Sequence, residues 1–192
     1  KDYCASNGAM ATGWQKLNNA WYYFASSGAM ATGFQTIDNA TYYFDENGVM
    51  LTGVQEINGA TYNFTSSGAA LKGWQKQGNS WYYYAASGAM AKGWAKISNV
   101  WYYFSDEGVM ATGWQQVKGA WYFFTASGRM CTGWVHIGSD WYYMNANGAM
   151  QKGWLLYKNN WYYLMPSGEM VRSTTYKIGS KNYRFDGDGF KG

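Results

Sequence analysis

Proline, cysteine, histidine and charge are all scarce in this chain. One proline stands in 192 residues beside 25 glycines, so Gly and Asn are left to make the turns. Charged residues are only 14%, and 15 Lys and Arg against 11 Asp and Glu leave a net charge of +4. That charge is too weak and scattered to point to nucleic acid, although it suits an anionic polymer. No run of about 18 apolar residues occurs, so membrane insertion is not expected. Lys1 opens no signal-peptide pattern, which predicts a mature chain or an excised domain. The two cysteines, Cys4 and Cys131, lie about six repeats apart, too far for an intramolecular disulfide. Both occupy ordinary repeat positions and are expected as buried thiols. His136 lacks a partner that would make it a general base. The acids fall mostly in turns, such as Asp45-Glu46 and Asp106-Glu107, with no opposed carboxylate for glycoside hydrolysis. Asp186-Gly187-Asp188 resembles part of a calcium loop but lacks the remaining ligands. No nucleotide or zinc-ligand spacing is present, so no metal, no cofactor and no catalytic residue are expected.

What the chain has in excess is aromatic side chains, at 21%, including 12 Trp and 19 Tyr. They recur with a period of twenty up to about residue 170. Gly28, Gly48 and Gly128 fall in one column, Gly33, Gly93 and Gly113 in a second, and Met30, Met50 and Met110 in a third. The Trp occupy two columns, one through Trp14 and Trp94, the other through Trp21 and Trp101. Each unit reads as a β-hairpin: Gly13 to Leu17, a short turn at Asn18-Asn19-Ala20, and Trp21 to Phe24. A hairpin this small folds only by stacking on neighbours. The fold class is therefore all-β, a β-hairpin solenoid of about nine 20-residue repeats. Residues 1–170 form the tandem array, and residues 171–192 an atypical terminal capping repeat with one residue inserted.

Strand alternation assigns the faces. Trp14 shares a side with Lys16, and Trp21 with Tyr23, while Tyr22 and Phe24 point the other way. Phe24 and Leu17 are expected inward, with Trp14, Trp21 and Tyr23 on the wetter side. Six repeats place two Trp seven residues apart across one hairpin. Two indoles and a nearby Tyr form an aromatic box that attracts a quaternary ammonium, each contact worth roughly 0.5–2 kcal/mol. Repetition then supplies avidity on a multivalent polymer. The alternatives are indoles used for core packing, and a carbohydrate-binding module stacking sugars, here a glucan, on the same rings. A third is a toxin or adhesin repeat domain that contacts a host protein.

The segments GWAKISNVWYYFSDEGVMATGW at 93–114 and GWQQVKGAWYFFTASGRMCTGW at 113–134 carry a resemblance that covers nearly the whole chain. The pattern resembles the choline-binding modules of the cell-wall-binding-repeat family. The resemblance implies a left-handed solenoid of hairpins with choline held between consecutive repeats. It implies a secreted or cell-surface protein anchored to choline-bearing teichoic acid, and a non-catalytic module that can belong to an enzyme such as a lysin. Carried over, the boxes are Trp14, Trp21, Met30 and Tyr43; Trp74, Trp81, Met90 and Tyr103; and Trp94, Trp101, Met110 and Phe123. Trp114, Trp121, Met130 and Tyr143 follow, then Trp134, Trp141, Met150 and Tyr163. Trp154 and Trp161 are set apart, because Arg184 falls where the next aromatic is expected. Repeats two and three carry Phe34 with Thr41 and Val54 with Thr61, and Asn63 replaces a Tyr, so their boxes are expected to be empty or weak. These two repeats resemble glucan-binding and clostridial-toxin repeats. Binding is accordingly expected to concentrate in residues 74–163.

Overall fold

A computed structural model describes residues 10–190. Among them the chain forms eighteen strands, β1 (Gly13–Leu17) to β18 (Lys181–Phe185), and no helix. Strands pair only within their own hairpin, giving nine two-stranded antiparallel sheets and no closed barrel. Hairpin turns are two residues long. Asn18 and Asn19 both take positive φ, 49° and 66°, which is the type I′ geometry that matches strand twist.

Two compact units can be described separately. Residues 10–92 with Asp106–Val109 form the first, which holds β1 to β8. Gly93–Ser105 with residues 110–190 form the second, which holds β9 (Gly93–Ile97), β10 (Val100–Phe104), β11 (Gly113–Val117), β12 (Ala120–Phe124) and the remaining strands. Within each unit a hairpin stacks on the next. The core is a series of thin layers, each centred on the last residue of a second strand. Phe44 and Phe64 in the first unit, and Phe104, Phe124, Met144, Leu164 and Phe185 in the second, are completely buried. Phe24 is buried as expected, whereas Leu17 is half-buried and Ile37, Ile57 and Val117 are the buried members of its column.

The methionine and glycine columns explain one another. Met110 lies on Gly128 of the following repeat, and a Cβ added at Gly128 would overlap its sulfur. Gly128 also has φ +78, so side chain and backbone both require glycine there. A backbone bond then ties repeats together: Met130 N donates to Trp101 O at 2.9 Å, and Met150 N to Trp121 O at 2.7 Å. These inter-repeat bonds supply the contacts that an isolated hairpin of this length lacks.

Candidate functional site

Cross-strand pairing decides which rings meet. In the β9–β10 hairpin Trp94 stands opposite Tyr103 and Lys96 opposite Trp101, so these four share one face. Trp94 and Trp101 meet edge to face, with centroids 6.3 Å apart and planes at 88°. The next hairpin, β11–β12, turns its opposite face toward them. Tyr122 comes to 4.8 Å from Trp94, and buried Phe124 to 5.8 Å. The bond from Met130 N to Trp101 O brings Met130 to the same place. Trp94, Trp101, Tyr122 and Met130, with Ala146 and Asn147 at the rim, enclose a cavity of about 380 Å³. Trp101 remains 41% exposed, so one indole of the box faces water.

The arrangement recurs in the second unit. Trp114 and Trp121 stand 6.2 Å apart at 88°, with Tyr142 4.9 Å from Trp114, and with Met150 and Ser167 they line about 260 Å³. Trp134, Trp141, Tyr162 and Met170 line about 330 Å³, with Tyr162 4.8 Å from Trp134. The first unit repeats the geometry at Trp14, with Trp21 at 6.3 Å, Tyr42 at 4.8 Å and a 2.8 Å bond from Met50 N to Trp21 O. The Trp pairs expected from the sequence are thus brought together, but the third and fourth members differ at the Trp14, Trp94, Trp114 and Trp134 boxes. Tyr43 pairs with Phe34 at 4.8 Å, and Met30 lies on Gly48. Phe123 pairs with Trp114, Tyr143 with Trp134 and Tyr163 with Trp154, each at 5.2 Å across its own hairpin. Met110 lies on Gly128, while Met130 and Met150 line the Trp94 and Trp114 cavities, one box earlier than expected. The physical reason is parity. A hairpin offers its predecessor the face opposite its own Trp, so the second aromatic of the run reaches the box and the third does not. Trp74, Trp81 (6.4 Å apart) and Met90 belong to the first unit, and Tyr103 to the second, where it faces Trp94 at 5.1 Å.

Two further repeats follow from the same parity. Trp154 has Trp161 at 6.1 Å and Tyr183 at 5.0 Å, because the inserted residue moves Tyr183 into the second position. Arg184, expected to repel a cation there, pairs with Thr175 on the other face of its hairpin. At Phe34 a Tyr62 ring lies at 4.9 Å, but Thr41 replaces the second indole, and Val54 is 66% exposed. Tyr42, which the sequence places away from any box, is in fact the third ring at Trp14.

The box chemistry is that of electron-rich rings and a thioether around a space open to water. Lys16 and Lys96 already rest their ammonium groups 5.9 Å from the Trp21 and Trp101 rings. Burial, and then the negative charges of Glu169 and Asp140, push the Tyr142 hydroxyl above its usual range. Burial, then Tyr157 and the charges of Asp186 and Asp188, do the same to Tyr162. Both of these rings therefore stay neutral. His136 lies beside Trp141, with centroids 4.8 Å apart and planes tilted by 44°. The turn acids cap backbone: Asp45 accepts from the N–H of Asn47 and Val49, and Asp186 from that of Asp188 and Phe190. Among the described residues no cluster could hold a metal ion. Cys131 is a half-buried free thiol, and Cys4 lies outside the described residues.

Fold and site together define a repeat binding module whose stacked hairpins form aromatic cages. The choline-binding repeat model matches residues 31–55, 51–93, 91–132 and 131–174, and the putative cell wall binding repeat model matches residues 12–30. The chain belongs to the choline-binding repeat family. Its structure is similar to that of choline binding protein F from Streptococcus pneumoniae, with TM-score 0.83 and 30% identity over 99% of this chain and 74% of that one. The choline-binding domain of CbpL from the same organism gives 0.64 and 30%, over 95% and 97%. The modular autolysin LytC, also from Streptococcus pneumoniae, shares the fold at 0.57 and 24%, over 99% of this chain and 50% of that one. No curated protein sequence matches this chain.

Proposed function

We propose that this chain is a non-catalytic module that binds choline in its aromatic cages and so anchors a secreted or cell-surface protein to choline-bearing teichoic acid. The observation that carries this reading is the repeated cage of two perpendicular indoles, a Tyr from the following hairpin and a Met, seen at Trp14, Trp94 and Trp114 with ring spacings that agree within a few tenths of an ångström. A trimethylammonium group suits it on both counts, because its charge meets ring faces and its methyls meet apolar walls. Apart from the aromatic rings, Asn147 lines the Trp94 cavity and Ser167 the Trp114 cavity, a sparse set of hydrogen-bonding side chains for a sugar. The names of the neighbouring proteins agree with choline as ligand, and choline binding protein F has also been solved with a peptidoglycan analogue. We further propose that residues 171–192 act as a terminal capping repeat. The test is titration of the whole chain followed by Trp fluorescence. Choline should give a saturable change and glucose oligomers none; a larger saturable change with a glucan would replace choline by carbohydrate.

A further inference from the structure

The Trp94 and Trp114 cages of the second unit share their rings, but the charges behind those rings differ. Opposite Trp101 stands Lys96, whose ammonium lies 5.9 Å from the Trp101 ring. One repeat later the residue opposite Trp121 is Gln116, which carries no charge. The loops that follow differ as well. Glu169 stands in a column that holds Ala69, Ala89 and Ala149. Its carboxylate is tied to two of the residues that line the Trp114 cavity, Tyr142 and Ser167. The Tyr142 hydroxyl donates to one oxygen at 3.4 Å, and the Ser167 hydroxyl donates to the other. The Glu169 carbonyl accepts the Met165 N–H at 2.8 Å, which closes the loop that presents the carboxylate. Asp140 adds a second negative charge that acts on Tyr142. At the Trp94 cavity the counterparts of Tyr142, Ser167 and Glu169 are Tyr122, Asn147 and Ala149, so this column supplies no carboxylate there. Access to water does not separate the two cages, because Trp101 and Trp121 are 41% and 38% exposed.

We propose that Glu169 is a specificity-determining residue: from behind Tyr142 and Ser167 it makes the Trp114–Trp121–Tyr142 box select the positive charge of its ligand and hold a cation more tightly than the Trp94 box does. The proposal rests on the choline reading of the boxes and adds the residues that grade them. A carboxylate one hydrogen bond behind a cage wall attracts a cation without touching it, because Coulomb attraction falls slowly with distance and a partly buried path screens it less than water does. A phenol that donates to a carboxylate also has a more electron-rich ring, which suits a cation on its face. Lys96 works in the opposite direction, since its ammonium already rests by a ring that a bound cation must share. The Trp94 box therefore reads the shape and apolar surface of a ligand, and the Trp114 box reads its charge as well.

The experiment is a titration of the full chain carrying 5-fluorotryptophan, read by fluorine NMR, with the Trp101 and Trp121 resonances identified by their loss in Trp101→Phe and Trp121→Phe. Choline is compared with its neutral carbon analogue, in which a tert-butyl group replaces the trimethylammonium. At low salt choline should bind about fivefold more tightly at Trp121 than at Trp101, and the carbon analogue should bind alike at both. Added sodium chloride should narrow the choline difference. Glu169→Gln keeps an oxygen to accept from Tyr142 or Ser167, so the cage stays in place. It should weaken choline at Trp121 about fivefold and leave the carbon analogue unchanged. Ala149→Glu should strengthen choline at Trp101, and Lys96→Met, which keeps the stem without the charge, should do the same. If choline binds and Glu169→Gln leaves its affinity at Trp121 unchanged, the assignment of Glu169 falls and the choline reading stands. If Glu169→Gln weakens both ligands equally, Glu169 only shapes the cage and the assignment falls as well. If choline shifts no Trp resonance, the choline reading falls with it.

Discussion

At the scale of single residues, the parity of a strand decides which hairpin's rings a side chain meets. Tyr122 and Phe123 are adjacent, yet Tyr122 closes the Trp94 box and Phe123 faces Trp114 across its own hairpin. Tyr122→Ala should therefore weaken choline at the Trp94 box by about 1–2 kcal/mol, a tenfold loss or more, while Phe123→Leu leaves that box unchanged. Calorimetric titration of both variants, with folding checked by circular dichroism, makes the comparison. The Trp pairs were legible in the sequence because their spacing is fixed and their strand register is simple. The third ring was not, because alternation within one hairpin does not say which face the next hairpin presents. Only stacking shows that, and it moves the assignment from Tyr43 to Tyr42 and from Phe123 to Tyr122. Cys131 offers a second residue-scale check. Burial raises its thiol above the usual range, against a smaller lowering by the backbone of Thr125. The thiol is thus harder to ionise folded than unfolded, and its contribution to stability is lost as pH rises past the unfolded thiol's pKa. Iodoacetamide labelling of Cys131, followed by peptide mass spectrometry, should reach half its maximal rate at a higher pH in the folded chain than in urea.

At the scale of the hairpin, glycine columns that look alike in the sequence have different physical causes. Gly113 and Gly128 both take positive φ, but a Cβ at Gly113 meets nothing within 4 Å, while one at Gly128 meets Met110. Gly113→Ala should cost about 1–2 kcal/mol, the strain of a left-handed alanine. Gly128→Ala adds overpacking against the methionine, for a total of about 2–5 kcal/mol. Urea denaturation midpoints of the two variants give the comparison, and equal losses would show that the Met110 contact does not constrain the chain. Strand boundaries and the Asn18-Asn19 turn were readable because glycine, asparagine and alternating aromatics mark them directly. The Met–Gly contact was not readable, since its partners are in different repeats and neither residue type announces the other. The inserted residue near the terminal hairpin is visible in the sequence, where same-hairpin alternation alone sets Arg184 at the Trp154 box. Stacking brings the adjacent Tyr183 there instead.

At the scale of the whole molecule, the number of boxes matters more than the strength of any one. Weak sites on one chain that engage one polymer gain avidity of about 10²–10⁴ without a new contact. Immobilised choline-bearing polymer should accordingly hold the chain at least about a hundredfold more tightly than free choline binds it. Trp101→Ala combined with Trp121→Ala should lower retention on the polymer far more than either alone, whereas Phe34→Ala, in a repeat lacking its second indole, should leave it near the original value. Surface plasmon resonance on the polymer, set beside calorimetry with choline, separates the two quantities. The bond from Met130 to Trp101 recurs at Met150 and Trp121 and at Met170 and Trp141, always at the same separation along the chain. Removing or duplicating a whole twenty-residue repeat, or a multiple of it, inside a unit keeps that separation and leaves the glycines under the methionines. Changes in length at the level of the gene are therefore quantised. Unequal recombination between repeats can lengthen or shorten the array one box at a time, and grip on the wall changes in steps while the architecture of each repeat stays the same.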